Sequence, residues 1–384
     1  MTSSFDTLID RSDTGCAKWS RYRDDVLPMW VADMDFASPP AIVDALRARL
    51  DHPVFGYAMP EPALVDAVRS YLRAKFNWIV EPEAIVFVPG VVPGFNVALG
   101  ALLKPGDGVV VEQPVYPPIH KAAANWDLRR IDVPLDYTAD GWRCDLDRFD
   151  TALADASALL LCSPQNPTGM AYSRDDLAHI AATCLANDVF ILSDEIHCDL
   201  MLDGRRHVPI ASLSDEIAAC TITFMSASKT FNVAGLKAAF AVIPSADLRA
   251  RFAAGTRGTV DSINAFGLAA ALPAYRGDCA AWHDDLLGYL AANRDHLLAR
   301  LSKEIPEIVT AKPSGLFLAW LDCSALGLEA PYRFFLEEAK VGFSPGSDFG
   351  ADYGQFVRLN YGCPRALLDK GIDRMVAALA RRAA

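Results

Sequence analysis

Six short apolar runs constrain this chain more than anything else in it: Ile85 to Val88, Val109 to Glu112, Ala158 to Cys162, Val189 to Ser193, Thr221 to Met225 and Ala238 to Ile243. Each is apolar at successive positions rather than alternate ones, as in strands covered on both faces. Amphipathic stretches separate them, for example Arg174 to Asn187, opened by Ser173 with acidic residues in the first turn. Strand, turn and helix repeated in this way predict an α/β fold with a mainly parallel sheet, compatible with an antiparallel strand at one edge. In such sheets ligands collect beyond the carboxyl ends of the strands.

The last third has a different rhythm. Ala265 to Leu301 carries a long helical pattern with interruptions expected near Pro273 and Gly277. Leu316 to Leu321 reads as a strand, Pro331 to Lys340 as a helix, Phe356 to Leu359 as a strand and Arg365 to Arg382 as a closing helix. This succession predicts a second, smaller α+β domain. Asp136 to Cys144, with Asp140-Gly141 inside it, reads as a turn or hairpin insert.

With 384 residues, 52% of them hydrophobic, the chain can bury a large core. Its net charge of −12 and the lack of any basic run longer than an Arg-Arg pair argue against nucleic acid and membrane surfaces as partners. The polar stretch Met1 to Trp19 has no signal-type apolar core, and no segment approaches the roughly 18 apolar residues of a membrane span. The nine cysteines form no CxxC pair, so reduced thiols and no metal site are expected. A cytoplasmic location follows as the expectation.

Two strand-end motifs carry the chemistry. Val189 to Leu192 runs into Ser193-Asp194-Glu195-Ile196-His197, and Thr221 to Met225 runs into Ser226-Ala227-Ser228-Lys229-Thr230-Phe231. An amine, a carboxylate and small hydroxyls at one sheet rim are the parts that hold an aldehyde cofactor with a phosphate tail, and pyridoxal 5′-phosphate (PLP) is the candidate. Ser226, Ser228 and Lys237 suit a dianionic phosphate. Positive charge and desolvation around Lys229 would lower its pKa. Asp194 facing a pyridine nitrogen would keep that nitrogen protonated.

Further motifs fit around these two. Gly90-Val91-Val92-Pro93-Gly94 is a strand-to-helix turn whose N–H groups can bind phosphate. Tyr116, in Pro114-Val115-Tyr116-Pro117-Pro118, puts an aromatic ring on a stiff loop. Asn166, in Ser163-Pro164-Gln165-Asn166-Pro167-Thr168-Gly169, can donate to a phenolate oxygen. Arg358 lies in an alternating strand, Val357 to Tyr361, and a buried arginine there calls for an anion such as a substrate carboxylate.

Taken in order and spacing, NPTG, SDEIH, SASKTFNVAGLK and RLN resemble the fold-type-I PLP enzymes of the class I/II aminotransferase group, over essentially the whole chain. The string Leu27-Pro28-Met29-Trp30-Val31-Ala32-Asp33-Met34-Asp35-Phe36, with His197 where aminotransferases usually carry tyrosine, resembles the MalY/PatB-type cystathionine β-lyases, or C–S lyases. The resemblance implies a large PLP-binding domain over 53–279 and a small domain made of 1–52 with 280–384. It makes Lys229 the Schiff-base lysine, Asp194 the ring-nitrogen partner, Asn166 the phenolate contact and Tyr116 the stacking ring, with His197 also at the cofactor. Val91, Val92, Ser226, Ser228 and Lys237 would hold the phosphate. Tyr57 would reach the neighbouring subunit's phosphate and substrate, which implies a homodimer with shared sites. Arg358, helped by the backbone near Ala32 and by Asn166, would bind the substrate. Gln165 and Met170 depart from the family pattern and are expected near the cofactor rim.

The implied reaction is β-elimination from L-cystathionine or another L-cysteine S-conjugate, giving a thiol, pyruvate and ammonia. Transamination of a small amino acid is the alternative chemistry. A binding or regulatory protein on the same fold is the non-enzymatic one, opposed by the intact set Lys229, Asp194 and Arg358.

Overall fold

The computed structural model describes residues 3–138, 141–260 and 262–383. Seven strands form the central sheet: β1 (Ile85–Val88), β2 (Gly108–Gln113), β3 (Arg129–Pro134), β4 (Ala158–Cys162), β5 (Phe190–Asp194), β6 (Thr221–Met225) and β7 (Ala239–Val242), in the order β1-β7-β6-β5-β4-β2-β3. The pairs from β6 through β5, β4 and β2 to β3 are parallel, whereas β7 runs antiparallel to both β6 and β1. The reversed strand is therefore one place in from the edge, not at it. Its four residues, Ala-Phe-Ala-Val, are all buried and need cover on both sides. The edge position opposite falls to β3, whose Arg129-Arg130-Ile131-Asp132-Val133-Pro134 is too polar to read as a buried strand. Charged residues and a proline are what an unpaired strand edge tolerates.

The first seven helices of ten or more residues are α1 (Pro40–Leu50), α2 (Pro62–Phe76), α3 (Val91–Leu102), α4 (Arg174–Ala186), α5 (Ala246–Thr256), α6 (Ala265–Arg276) and α7 (Ala280–Glu304). On one face of the sheet α3 and α5 bury Phe95, Leu99 and Phe252 against Val109, Ile222 and Phe224. On the other, α4 covers Leu159 and Ile191, while α2 and α6 cover Phe240 and Val242. Helix α3 lies very close to β6: a Cβ on Gly94 would meet the Phe224 ring at 2.8 Å, so only glycine fits there. Ser173 caps α4 through a reciprocal capping box with Asp176.

Pro273 does not break the helical run. It sits buried inside α6, and the break comes at Gly277, whose φ of 94° needs a left-handed conformation. Downstream, β8 (Leu318–Asp322), β9 (Ser344–Pro345) and β10 (Phe356–Asn360) form an antiparallel sheet in the order β8-β10-β9, backed by α7 and by α8 (Arg365–Ala383). The stretch expected to be one helix after Pro331 is a single α-turn, Pro331–Phe334, followed by a π-helical turn, Phe335–Ala339, that ends at left-handed Lys340. Leu27–Pro28 pairs in parallel with Val341–Gly342, which joins the amino-terminal segment to this region. Asp136–Thr138 and Gly141–Arg143 form the expected hairpin; Asp140 lies outside the described residues.

Candidate active site

The carboxyl ends of β1, β2, β4, β5 and β6 converge on a cavity of about 190 Å³. The sequence-predicted residues Ala32, Val91, Val92, Tyr116, Asn166, Asp194, His197, Ser226, Ser228, Lys229 and Lys237 all line it. At one end α3 begins: Gly90 is its N-cap, and the N–H groups of Val91 and Val92 precede any possible partner within the helix. The helix dipole adds positive potential at the same place. Ser226 caps the short turn Ala227–Thr230. Its Oγ accepts from the Ser228 N–H at 3.1 Å and donates to the Ala238 carbonyl at 2.7 Å, so its proton is already engaged. Ser228 and left-handed Lys237, which enters from the start of the reversed strand β7, supply the side chains around this end.

Lys229 leaves its turn toward the amino-terminal segment and donates from Nζ to the Ala32 carbonyl at 2.8 Å. Burial lowers its pKa to about 8; Arg358 and Lys237 push the same way against Asp33 and Asp194. Asp194 closes β5 and is only 4% exposed. Its Oδ1 accepts from the Ile196 N–H at 3.1 Å. Burial pushes its pKa up to about 7, opposed by that N–H and by Lys229. His197 is buried with no partner for Nδ1. Burial, with the positive charges of Lys229 and Arg358, holds it well below the usual histidine range, so it is a neutral ring.

Arg358, on β10, comes from the other sheet. It is 4% exposed, donating from Nη1 to Asn166 Oδ1 at 2.9 Å and from Nη2 to the Trp30 carbonyl at 2.9 Å and Ser344 Oγ at 3.2 Å. Its guanidinium lies 4.8 Å from the Phe349 ring centre, and its Nε has no partner. Burial lowers its pKa to about 10. Tyr116, at the start of the helical turn Pro117–Ala122, is half-buried, and burial raises its phenol. Tyr57 stands apart from the cavity, 92% exposed, on a segment that also exposes Val54, Phe55 and Met59.

Two residues expected near the cofactor rim are elsewhere. Gln165 is fully buried, its Nε2 donating to the Pro114 carbonyl and its Oε1 accepting from the Thr168 N–H and hydroxyl. Met170 packs in the core under α4. Gln165 thus fixes the two loops that present Tyr116 and Asn166 against each other, and neither side chain lines the cavity.

Sequence reasoning missed the residues that hold the wall. Asn232, three positions after Lys229, accepts from the Met34 N–H and donates to the Met34 and Phe36 carbonyls. Asn360, two after Arg358, donates to the Val31 and Asp33 carbonyls. Lys18 and Arg11 hold Asp33 and Asp35 from the amino-terminal side. Both asparagines lay inside motifs that were recognised, and a side-chain amide beside each reactive residue was the available signal.

These groups fit PLP. An amine without a carboxylate hydrogen bond stands opposite a helix amino terminus flanked by Ser228 and Lys237, which suits an aldehyde and a phosphate. A buried carboxylate and an orphaned imidazole nitrogen suit the polar edge of a pyridine ring. Among the described residues no cluster of metal-binding side chains occurs.

Residues 24–375 match the family model described as Aminotransferase class I and II. The cystathionine beta-lyase PatB of Bacillus subtilis is 41% identical, over 98% of this chain and 100% of that protein. Protein MalY of Escherichia coli is 32% identical over 98% of each. Among solved structures, cystalysin of Treponema denticola, which contains a pyridoxal 5′-phosphate cofactor, superposes with a TM-score of 0.95 at 30% identity over 100% of both chains. OvoB superposes at 0.93 with 41% identity, over 98% of each chain. With matches of this length and strand-end motifs gathered at one cavity, the chain belongs to the aminotransferase class I and II family, in the company of the PatB and MalY proteins.

Proposed function

We propose that this protein is a PLP-dependent carbon–sulfur β-lyase that cleaves L-cystathionine or a related L-cysteine S-conjugate to a thiol, pyruvate and ammonia. The observation that carries the reading is the meeting of Lys229 and Asp194 at one cavity, with Arg358 hydrogen-bonded to Asn166 of its lining, in a chain related end to end to proteins named as cystathionine β-lyases and C–S lyases. When bound, the cofactor supplies an aldehyde that condenses with amines and a ring that withdraws electrons from the substrate Cα.

The chain's own residues divide the remaining work. Arg358 receives the substrate carboxylate. Its guanidinium is fixed by Asn166, Trp30 and Ser344, so the carboxylate meets a pre-set donor rather than a mobile one. Lys229, with a pKa near 8, offers a useful fraction of free amine near neutral pH to take the Cα proton. The Ala32 carbonyl holds that amine through its hydrogen bond. The electron pair left at Cα forms the Cα–Cβ double bond as the Cβ–S bond breaks, and the departing sulfur takes the proton that Lys229 removed from Cα, which frees the amine again. Asp194 would hold a positive charge at the ring nitrogen of bound PLP, and that charge would in turn favour ionised Asp194. Neutral His197 adds no positive charge beside Lys229. Val91, Val92, Ser228 and Lys237 hold the phosphate.

Homodimer formation, with Tyr57 reaching the other subunit's site, belongs to the same proposal and is supported by an exposed apolar segment that leads away from its own cavity. A division into 53–279 and 1–52 with 280–384 is supported by the cores except at α1: one cluster draws mainly on Phe5 to Phe36 and Leu286 to Ala378, whereas Ile42 of α1 packs with the others, which run to Cys279. No helix among the described residues is long and apolar enough to cross a membrane, and a cytoplasmic location is part of the proposal.

The test is incubation of the PLP-loaded protein with L-cystathionine and no added keto acid, reading pyruvate and free thiol. Stoichiometric release of both is expected. Turnover that needs a keto acid and releases no thiol overturns the lyase reading in favour of transamination.

A further inference from the structure

Behind the cavity wall lies a carboxyl group that the reaction as described does not use. Glu112, next to last in β2, is 0% exposed. Strands β2 and β4 pair only at Val109–Ala158 and Val110–Leu159, although β2 continues along β3 to Gln113 and β4 continues along β5 to Cys162. Where the backbone ladder between β2 and β4 stops, Glu112 takes it over: its Oε1 accepts from the Cys162 N–H at 2.8 Å. Its Oε2 is buried without a partner.

Cys162 matters because it is the register partner of Asp194 on β5 and lines the cavity. The next residue, Ser163, donates its N–H to the Asp194 carbonyl and opens the loop that carries Asn166. Glu112 therefore sits two strands away from the ring-nitrogen aspartate, with Cys162 of β4 between them, at the base of the loop that holds Arg358 in place.

We propose that Glu112 is a positioning residue for the reaction: it closes the split between β2 and β4, fixes Cys162 and the Asn166 loop, and adds no carboxylate charge of its own to that of Asp194. The activity part of this proposal rests on the lyase reading, whereas the apoprotein measurement below does not.

Chemistry supports an uncharged Glu112. The titratable groups that face it are Asp194 on β5, Cys162 on β4, and Cys144 and Tyr172 from the flanking loops, with no lysine, arginine or histidine among them. A buried carboxylate with one N–H donor from its neighbour and no cation favours its neutral form. Burial pushes it up to about 8; its own N–H and that of Cys162 oppose the shift, and Asp194 adds to it. The Tyr172 hydroxyl, also buried and unpartnered, belongs to the same uncharged cluster.

The sign of the linkage gives a test. An acid whose pKa rises on folding keeps a proton that the unfolded chain gives up, so its contribution to stability falls as pH rises from about 4.5 to about 8. The experiment compares melting temperatures of wild-type apoprotein and Glu112→Gln between pH 5 and pH 9. Glu112→Gln keeps an acceptor for Cys162 but has no proton to lose. The wild type is expected to lose about 3 °C more than the variant across this interval. In the holoprotein, Glu112→Asp, which reaches less far toward Cys162, should retain PLP several-fold less tightly, and Glu112→Gln, which preserves the acceptor for the Cys162 N–H, should recover most of that loss. Parallel melting curves for wild type and Glu112→Gln overturn the proposal, as does PLP retention in Glu112→Asp equal to that of wild type. If the glutamine variant does not fold, infrared spectroscopy of the PLP-loaded wild type, in which Asp194 is ionised against the ring nitrogen, decides. A buried protonated-carboxyl band that bleaches near pH 8 supports the proposal, and its absence at pH 6 refutes it.

Discussion

Arg358 and Asn166 meet at 2.9 Å, Nη1 to Oδ1, although one lies on strand β10 and the other in the loop after β4, 192 positions apart. The contact ties the proposed carboxylate-binding residue to the loop at the end of β4, so substrate and cofactor sites are adjusted together. With Trp30 and Ser344 holding Nη2, the guanidinium has its plane set before any anion arrives.

Replacing Arg358 should accordingly be costly. Two charge-assisted hydrogen bonds to a carboxylate are worth about 3 kcal/mol together, so Arg358→Ala should lower kcat/KM for cystathionine roughly 100-fold, mostly through KM. Arg358→Lys should recover little, because an ammonium cannot reproduce the fork or keep both Asn166 and Trp30. Steady-state kinetics on both variants check this.

Lys229→Ala should lose turnover by about 10³-fold or more and should lose its yellow colour on dialysis after loading with PLP. Retention of both activity and colour would overturn the assignment of the amine.

The apoprotein should show the cost of burying Asp194. Its folded pKa near 7 exceeds the ordinary 3.8, so it keeps a proton that the unfolded chain releases, and stability drains away as pH rises from about 4 to about 7. Asp194→Asn, which does not titrate, should be more stable than wild type above pH 7 by on the order of 3 kcal/mol, with no such gain at pH 4. Denaturant titrations at the two pH values measure this. In the PLP-loaded protein the order should reverse, because asparagine cannot hold the ring-nitrogen proton.

Asn232→Ala removes three hydrogen bonds to the backbone of Met34 and Phe36. A stability loss of about 2 kcal/mol is expected, together with weaker cofactor retention, since the wall bearing Ala32 loosens. Calorimetry with and without PLP separates the two effects.

What the sequence displayed and what it hid follow one physical divide. Apolar runs report burial on both faces, so β1, β2 and β4 to β7 were visible, and their polar ends marked the rim. Strand β3 was hidden because an edge needs charge, and Arg129 and Asp132 look like loop residues. Which strand ran backwards could not be read, because β7 is as apolar as its parallel neighbours. Among site residues, type and spacing pointed to Lys229, Asp194 and Arg358, but not to how hydrogen bonds are shared. Ser226 turned out to give its proton to Ala238, and Gln165 to serve two loops rather than the rim. Asn232 and Asn360 act on backbone groups far away in sequence, and such contacts leave no local pattern.

One contact also bears on the order in which the protein can be made. The Trp30 carbonyl waits for Arg358, 328 positions later, and the Val31 and Asp33 carbonyls wait for Asn360. The Trp30 to Asp33 segment thus finds these partners more than 300 positions downstream. The cavity can be walled only once β10 has been made, and a nascent chain stalled before it would have Lys229 and Asp194 without a closed site around them.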